Sequence, residues 1–293
     1  MTHRADVELV LDARADLGEG PTWDTDAQLL VWVDITAGLV HRFDPVTGAD
    51  ETLDAGRPVG AAVPTTSGRV AIAASDGFSL LDPETGAVEL VAEIEVDVPE
   101  TTMNDGACDP AGRFWAGTKD NEDHRPLGAL YRLDADHQIV RVVSGVTISN
   151  GLAWSSDRRT MYYIDSPTYG IDAFDFDLGS GDVTNRRRLV DLPREWGLPD
   201  GMTIDAEGLL WVAFWGGSTL RRIALDGRVA SIVELPVSQV TSCAFGGDDL
   251  SDLYVTSARI GFTDAEVEQQ PHAGGLFRLR LGVNGLPQPP FAG

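Results

Sequence analysis

The chain is poor in cysteine and in positive charge, and it contains no long apolar run. Its two cysteines, Cys108 and Cys243, stand singly inside apolar stretches instead of forming a CxxC pair, which points to buried free thiols and not to a redox or disulfide framework. Only 22 basic residues face 46 acidic ones, for a net charge of −24. A phosphate backbone or an anionic membrane surface would be repelled by such a surface, so neither nucleic acid nor membrane is an expected partner. No run approaches the roughly 18 apolar residues of a membrane span, and the first residues carry no apolar signal core, so a cytoplasmic protein is expected. A Gly-x-Ser-x-Gly elbow is also missing, which removes the usual sign of a serine hydrolase.

What the sequence does contain is a repeat. The stretch Pro199-Asp200-Gly201-Met202-Thr203-Ile204-Asp205-Ala206-Glu207-Gly208-Leu209-Leu210-Trp211-Val212-Ala213-Phe214-Trp215 reads as an exposed Asp-Gly, a short apolar strand, a turn from Asp205 to Gly208 and a second apolar strand, that is, a β-hairpin. Taken at the first turn residue, the pattern recurs at Asp24, Thr65, Asp109, Asp157, Asp205 and Asp248, in steps of 41, 44, 48, 48 and 43 residues. Each unit then continues into a second hairpin with alternating apolar and polar side chains, as in Leu39-Val40-His41-Arg42-Phe43 followed by the turn Asp44-Pro45-Val46-Thr47-Gly48. Proline sets φ and glycine supplies φ > 0 in that turn. Two hairpins make a four-stranded antiparallel sheet, and six such units with no convincing helix between them predict an all-β six-bladed β-propeller. Val7-Glu8-Leu9-Val10-Leu11 precedes the first unit and is expected to complete the last blade, closing the ring into a single domain over residues 1–293.

In a propeller the first strand of each blade is innermost, so its opening residue faces the axis at one mouth. Counting five residues back from the turn gives Glu19, Gly60, Asn104 and Asp200; the fourth unit has a longer turn, and counting from Ser155 gives Asn150; in the sixth unit Thr241, seven residues before Asp248, is taken as the equivalent position. Four of the six are carboxylates or carboxamides, each followed closely by glycine. Oxygens converging on one axis suit a hard or borderline divalent cation, and two carboxylates with two amides leave coordination positions for water or substrate. None of the five histidines, His3, His41, His124, His137 and His272, shares that register, although His124 and His272 fall on mouth loops. The same topology puts the loops Thr118 to Gly128, Asp165 to Gly170, Phe214 to Gly217 and Ala258 to Gly275 around the mouth, where Glu122 and Trp215 are candidates to touch a ligand.

Leu17-Gly18-Glu19-Gly20-Pro21-Thr22-Trp23, Asn104-Asp105-Gly106 with Asp109-Pro110-Ala111-Gly112-Arg113-Phe114-Trp115-Ala116-Gly117-Thr118, Ser149-Asn150-Gly151-Leu152-Ala153-Trp154, Pro199-Asp200-Gly201-Met202 and Ala273-Gly274-Gly275-Leu276-Phe277 resemble the SMP-30/gluconolactonase/luciferin-regenerating-enzyme family, from about residue 15 to about residue 283. The resemblance implies a propeller with one divalent metal held by Glu19, Asn150 and Asp200, with Asp200 also a candidate general base, and with Asn104 and the lid-loop Glu122 holding a sugar. Where the family's sugar lactonases carry an arginine two residues before the asparagine, this chain has Thr102. A single hydroxyl in place of a guanidinium predicts a larger, less polar pocket on that side.

The function expected on these grounds is metal-dependent hydrolysis of a lactone, with calcium, zinc, magnesium, manganese or iron all compatible with oxygen ligands. A related metal-dependent esterase or phosphoesterase is the nearest alternative, and a non-catalytic calcium- or ligand-binding propeller is a third. The expected partner is a small lactone, and the expected state a monomer or weak homo-oligomer.

Overall fold

The computed structural model describes residues 6–293. Its strands assemble into six four-stranded antiparallel sheets. Blade 1 is built from Gly18–Asp24, Leu29–Asp34, Leu39–Phe43 and Asp50–Asp54, and blades 2 to 5 repeat that order. Blade 6 runs Val240–Gly246, Asp252–Ser257, Leu276–Arg280, and takes its outermost strand from the other end of the chain, Val7–Leu11. The innermost strands pack in sequence around the axis, and the last lies against the first. The expected six-bladed propeller, closed by the N-terminal strand, is the fold observed.

The apolar core has six parts, one between each pair of neighbouring blades. Residues on a strand point alternately to its two faces. In blade 5, Leu210, Val212 and Phe214 therefore pack toward blade 4, while Trp211 and Ala213 pack toward blade 6. Both faces are buried, so these strands read as unbroken apolar runs where a sheet with one wet face would alternate. Cys108 and Cys243 lie in different interfaces, buried and unbridged.

Turns opposite the mouth are held by buried carboxylates. Asp205 is fully buried; its Oδ1 accepts from the Glu207 and Leu209 backbone N–H groups at 3.0 Å each, and its Oδ2 from Trp211 Nε1 at 3.0 Å and Arg222 Nε at 2.7 Å. Asp109 repeats the arrangement with Ala111, Arg113 and Trp115. After blade 6 the chain crosses this face. Asn284 accepts from the Ala206 N–H, and Phe291, fully buried against Phe114, exchanges backbone hydrogen bonds with Pro64 and Thr66. The strap thereby ties blades 5, 2 and 3 together at the end away from the mouth.

Among the described residues only one α-helix occurs, Asp264–Gln269, within the Ala258 to Gly275 mouth loop that the sequence leaves irregular. Thr263 and Glu266 form a reciprocal capping box at its start, which accounts for one turn of helix in a polar loop.

Replacing Asp205 by alanine leaves Trp211 Nε1 buried without an acceptor, leaves Arg222 with Glu207 alone and frees the Glu207 and Leu209 N–H groups, and should cost about 3 kcal/mol of stability. Denaturant unfolding of Asp205→Ala measures it; a loss below about 1 kcal/mol would mean the turn is held by something else.

Candidate active site

All six innermost strands carry a register shift at the same height. The shifts fall between Glu19 and Thr22, Val59 and Ala61, Met103 and Gly106, Asn150 and Leu152, Pro199 and Met202, and Val240 and Ser242. A β-bulge bends its strand and re-aims a side chain, and here it turns the opening residue of each blade toward the axis. Glu19, Asn104, Asn150 and Asp200 consequently line one cavity of about 490 Å³, all four side chains being largely buried.

The other two register positions serve the ring. A Cβ on Gly60 would collide with the backbone carbonyl of Asn104, so glycine there is what lets blade 2 approach blade 3. Thr241 is fully buried and donates to the Gly18 carbonyl at 2.6 Å, joining blade 6 to blade 1.

Hydrogen bonds fix the amide orientations. Asn150 Nδ2 donates to Ser166 Oγ at 2.8 Å, which turns Asn150 Oδ1 the other way, where it accepts from Asn104 Nδ2 at 3.0 Å. Asn104 Nδ2 also donates to the Ser149 carbonyl at 2.8 Å, leaving Asn104 Oδ1 without a hydrogen-bond partner among the described residues. Glu19 and Asp200 meet carboxyl to carboxyl within hydrogen-bonding reach.

Burial pushes the Glu19 carboxyl well above its ordinary range, and the charges of Asp200 and Asp105 push it further. Asp200 is raised for the same first reason, then by Asp105, with Lys119 pulling the other way. Asp105, the residue after Asn104, is pushed up to about 7 by burial although the Gly106 and Gly151 N–H groups donate to it. Three buried carboxylates acting on one another, two of them lining the cavity, favour a cation or protons. Among the described residues no three His, Cys, Asp or Glu side chains close on one point; the oxygen donors at the axis are two carboxylates and two amides, with Asp105 turned onto backbone. An all-oxygen set with orientation fixed from behind, as Ser166 fixes Asn150, fits a hard divalent cation.

The mouth loops complete the walls. Lys119 and Asp123 come from the first, Pro167 and Tyr169 from the second, Trp215 from the third and Ile260 from the fourth. Lys119 Nζ pairs with Asp123 Oδ1 at 2.5 Å, and Arg194 lays its guanidinium 4.1 Å from the centre of the Tyr169 ring, a cation–π contact. The lid-loop carboxylate Glu122 is 66% exposed, directed to His124 and Arg125, and does not line this cavity. Thr102 lines a neighbouring chamber. His124 and His272 are exposed and line neither. A further cavity of about 370 Å³ lies under the Leu286–Pro290 strap at the opposite end and has no acidic lining, so the candidate chemistry is at the mouth.

Asp105, Lys119, Tyr169 and Arg194 had no place in the sequence register. Strict alternation would send Asp105 away from the axis, and the bulge beside Gly106 accompanies a placement close enough for its charge to act on Glu19 and Asp200; Arg194 and Tyr169 lie in connections that do not repeat.

The model of the SMP-30/gluconolactonase/LRE-like region matches residues 17–259. The chain belongs to that family. As a member it is 43% identical to chicken (Gallus gallus) regucalcin over 98% of both chains, and 39% identical to a Bacillus subtilis protein assigned as a sugar lactone lactonase, over 98% of this chain and 99% of that one. The solved structure of a calcium-binding protein, regucalcin, from Agrobacterium tumefaciens superposes with a TM-score of 0.95 at 29% identity, covering 99% of each chain.

The raised carboxyls make a pH prediction. Each binds a proton more tightly folded than unfolded, so its contribution favours the fold below the ordinary carboxylate value of about 4 and is lost as pH rises through the folded value, about 7 for Asp105. Chelator-treated protein should lose thermal stability from about pH 5 to about pH 8, and Asp105→Asn should flatten that slope. A melting temperature that rises across the interval contradicts the site electrostatics.

Proposed function

We propose that the protein is a divalent-cation-dependent lactonase, opening a cyclic ester by addition of water. The observation that carries the reading is the convergence of Glu19, Asn104, Asn150 and Asp200 oxygens in one cavity walled by Trp215, Tyr169, Lys119 and Arg194. Family membership and the lactonase assignment of the Bacillus relative support it, and the calcium-binding description of the Agrobacterium protein supports a cation.

Glu19, Asn150 and Asp200 would hold the cation, which when bound supplies Lewis-acid polarisation of the lactone carbonyl. The protein's own groups do the rest. Asp200 accepts a proton from the attacking water, and that proton ends on the ring oxygen as the acyl C–O bond breaks, so the product is a hydroxy acid. Lys119, close enough to Asp200 to lower its pKa, favours the ionised carboxylate that this base role needs. Asn104 Oδ1, without a partner among the described residues, is available to accept from a substrate hydroxyl. Trp215 and Tyr169 cover the cavity and limit bulk water. Glu122, exposed and directed to His124 and Arg125, is given no part in holding the substrate in this arrangement. The buried free thiols accord with a reducing, cytoplasmic setting, and no helix among the described residues is long and apolar enough to cross a membrane.

Glu19→Gln and Asp200→Asn should each lower lactone kcat/KM about a thousandfold and weaken divalent-cation binding by calorimetry, whereas Glu122→Ala, outside the cavity, should leave both turnover and cation binding close to those of the unaltered protein. A Glu19→Gln enzyme that stays active without added cation would sink the proposal.

A further inference from the structure

A second chamber, of about 620 Å³, meets the cation cavity at Leu17, Lys119 and Ile260, which line both. Its outer wall is the crossover from blade 2 to blade 3, which presents Ile94, Val96, Val98 and Pro99. Val96 is 68% exposed, an apolar side chain held at the surface beside a functional cavity. The chamber's polar groups are largely engaged by the protein itself. Glu95 accepts from Thr101 Oγ1 at 2.5 Å and from Tyr131 OH at 2.9 Å, Asp76 pairs with Arg57 Nε at 2.7 Å, and Asn121 Nδ2 donates to the Pro99 carbonyl at 3.2 Å. Few donors remain for a sugar's hydroxyls, and the neighbouring Glu93, Glu95 and Asp76 disfavour an anion.

Thr102 stands at the threshold. It lines the second chamber and is the strand partner of Lys119, whose aliphatic stem and charged head belong to both spaces. Because the two spaces share Leu17, Lys119 and Ile260, an occupant that starts at the cation cavity can reach the apolar one beside the short Thr102.

We infer that the second chamber is a substrate subsite, and that the preferred substrates are lactones carrying a neutral apolar extension, alkyl or aryl, beyond the ring. This rests on the lactonase reading for the identity of the ring, but the subsite itself is a binding claim and is tested by binding.

The probes are 2-piperidinone and 6-hexyl-2-piperidinone, six-membered lactams that mimic δ-lactones without being readily opened, titrated calorimetrically into the cation-loaded protein. Burial of part of the hexyl chain should make it bind about tenfold more tightly or better. Thr102→Arg, which fills the threshold, and Val98→Asp, which charges the far wall, should each bring the ratio of the two affinities near one. Equal affinities in the unaltered protein, no measurable binding of the hexyl lactam, or a ratio that survives both substitutions overturns the subsite. Hydrolysis of the matching δ-lactones is read separately. A hexyl preference in binding with no turnover of either lactone refutes the lactonase reading and keeps the subsite; turnover without any preference does the reverse.

Discussion

The constraint on which this structure turns is the burial of like charge. Glu19 and Asp200 line one cavity, with Asp105 buried close enough to act on both, in a chain that already carries a net charge of −24, and each loses hydration without a matching basic partner among the described residues. Lys119 is the one cation among the described residues that acts on Asp200, and it is shared with Asp123. Such an arrangement stands only because six blades, packed face to face through six apolar interfaces, over-determine where the axial strands lie. The site is therefore poised for a positive charge from outside, and the surrounding fold bears the cost of holding it ready.

How the scaffold produces that site follows from a single backbone device. An innermost strand buried on both faces has no direction left for a polar side chain except along the axis, and the bulge at each strand's opening provides that direction. Blades 1, 3, 4 and 5 use it for oxygens. Blade 2 gives up its side chain at Gly60 so that the neighbouring strand can close in, and blade 6 spends Thr241 on ring closure. A single scaffold thus makes both a binding centre and a sealed ring.

Much of this was legible in the sequence because repetition amplifies weak signals. One Asp-Gly is a turn; Asp200-Gly201 in register with Glu19, Asn104 and Asn150 is a site. The blades, the closure by Val7–Leu11 and the mouth loops could be read in the same way. What could not be read is what does not repeat. Asp105 depends on an extra residue in a strand, Arg194 and Tyr169 on two unrelated connections, and the strap through Phe291 on contacts with distant blades, blade 2 more than 200 residues earlier in the chain. Glu122 illustrates the limit from the other side. Its loop is at the mouth, but Asp120 accepts from Arg125 at 2.7 Å and from the His124 and Arg125 N–H groups, a local knot that turns Lys119 and Asp123, not Glu122, toward the cavity.

Fold and family leave open a related esterase, a phosphoesterase or a cation-binding propeller without turnover, because the bond cleaved is a property of the site and not of the ring. The measurement that separates them most directly is acid release, followed with a pH indicator, from γ- and δ-lactones by protein stripped of divalent cations and then supplied with one cation at a time. The account predicts no hydrolysis by the stripped protein and its restoration by at least one divalent cation. Cation binding with no hydrolysis across the whole set, or full hydrolysis by the stripped protein, would contradict it.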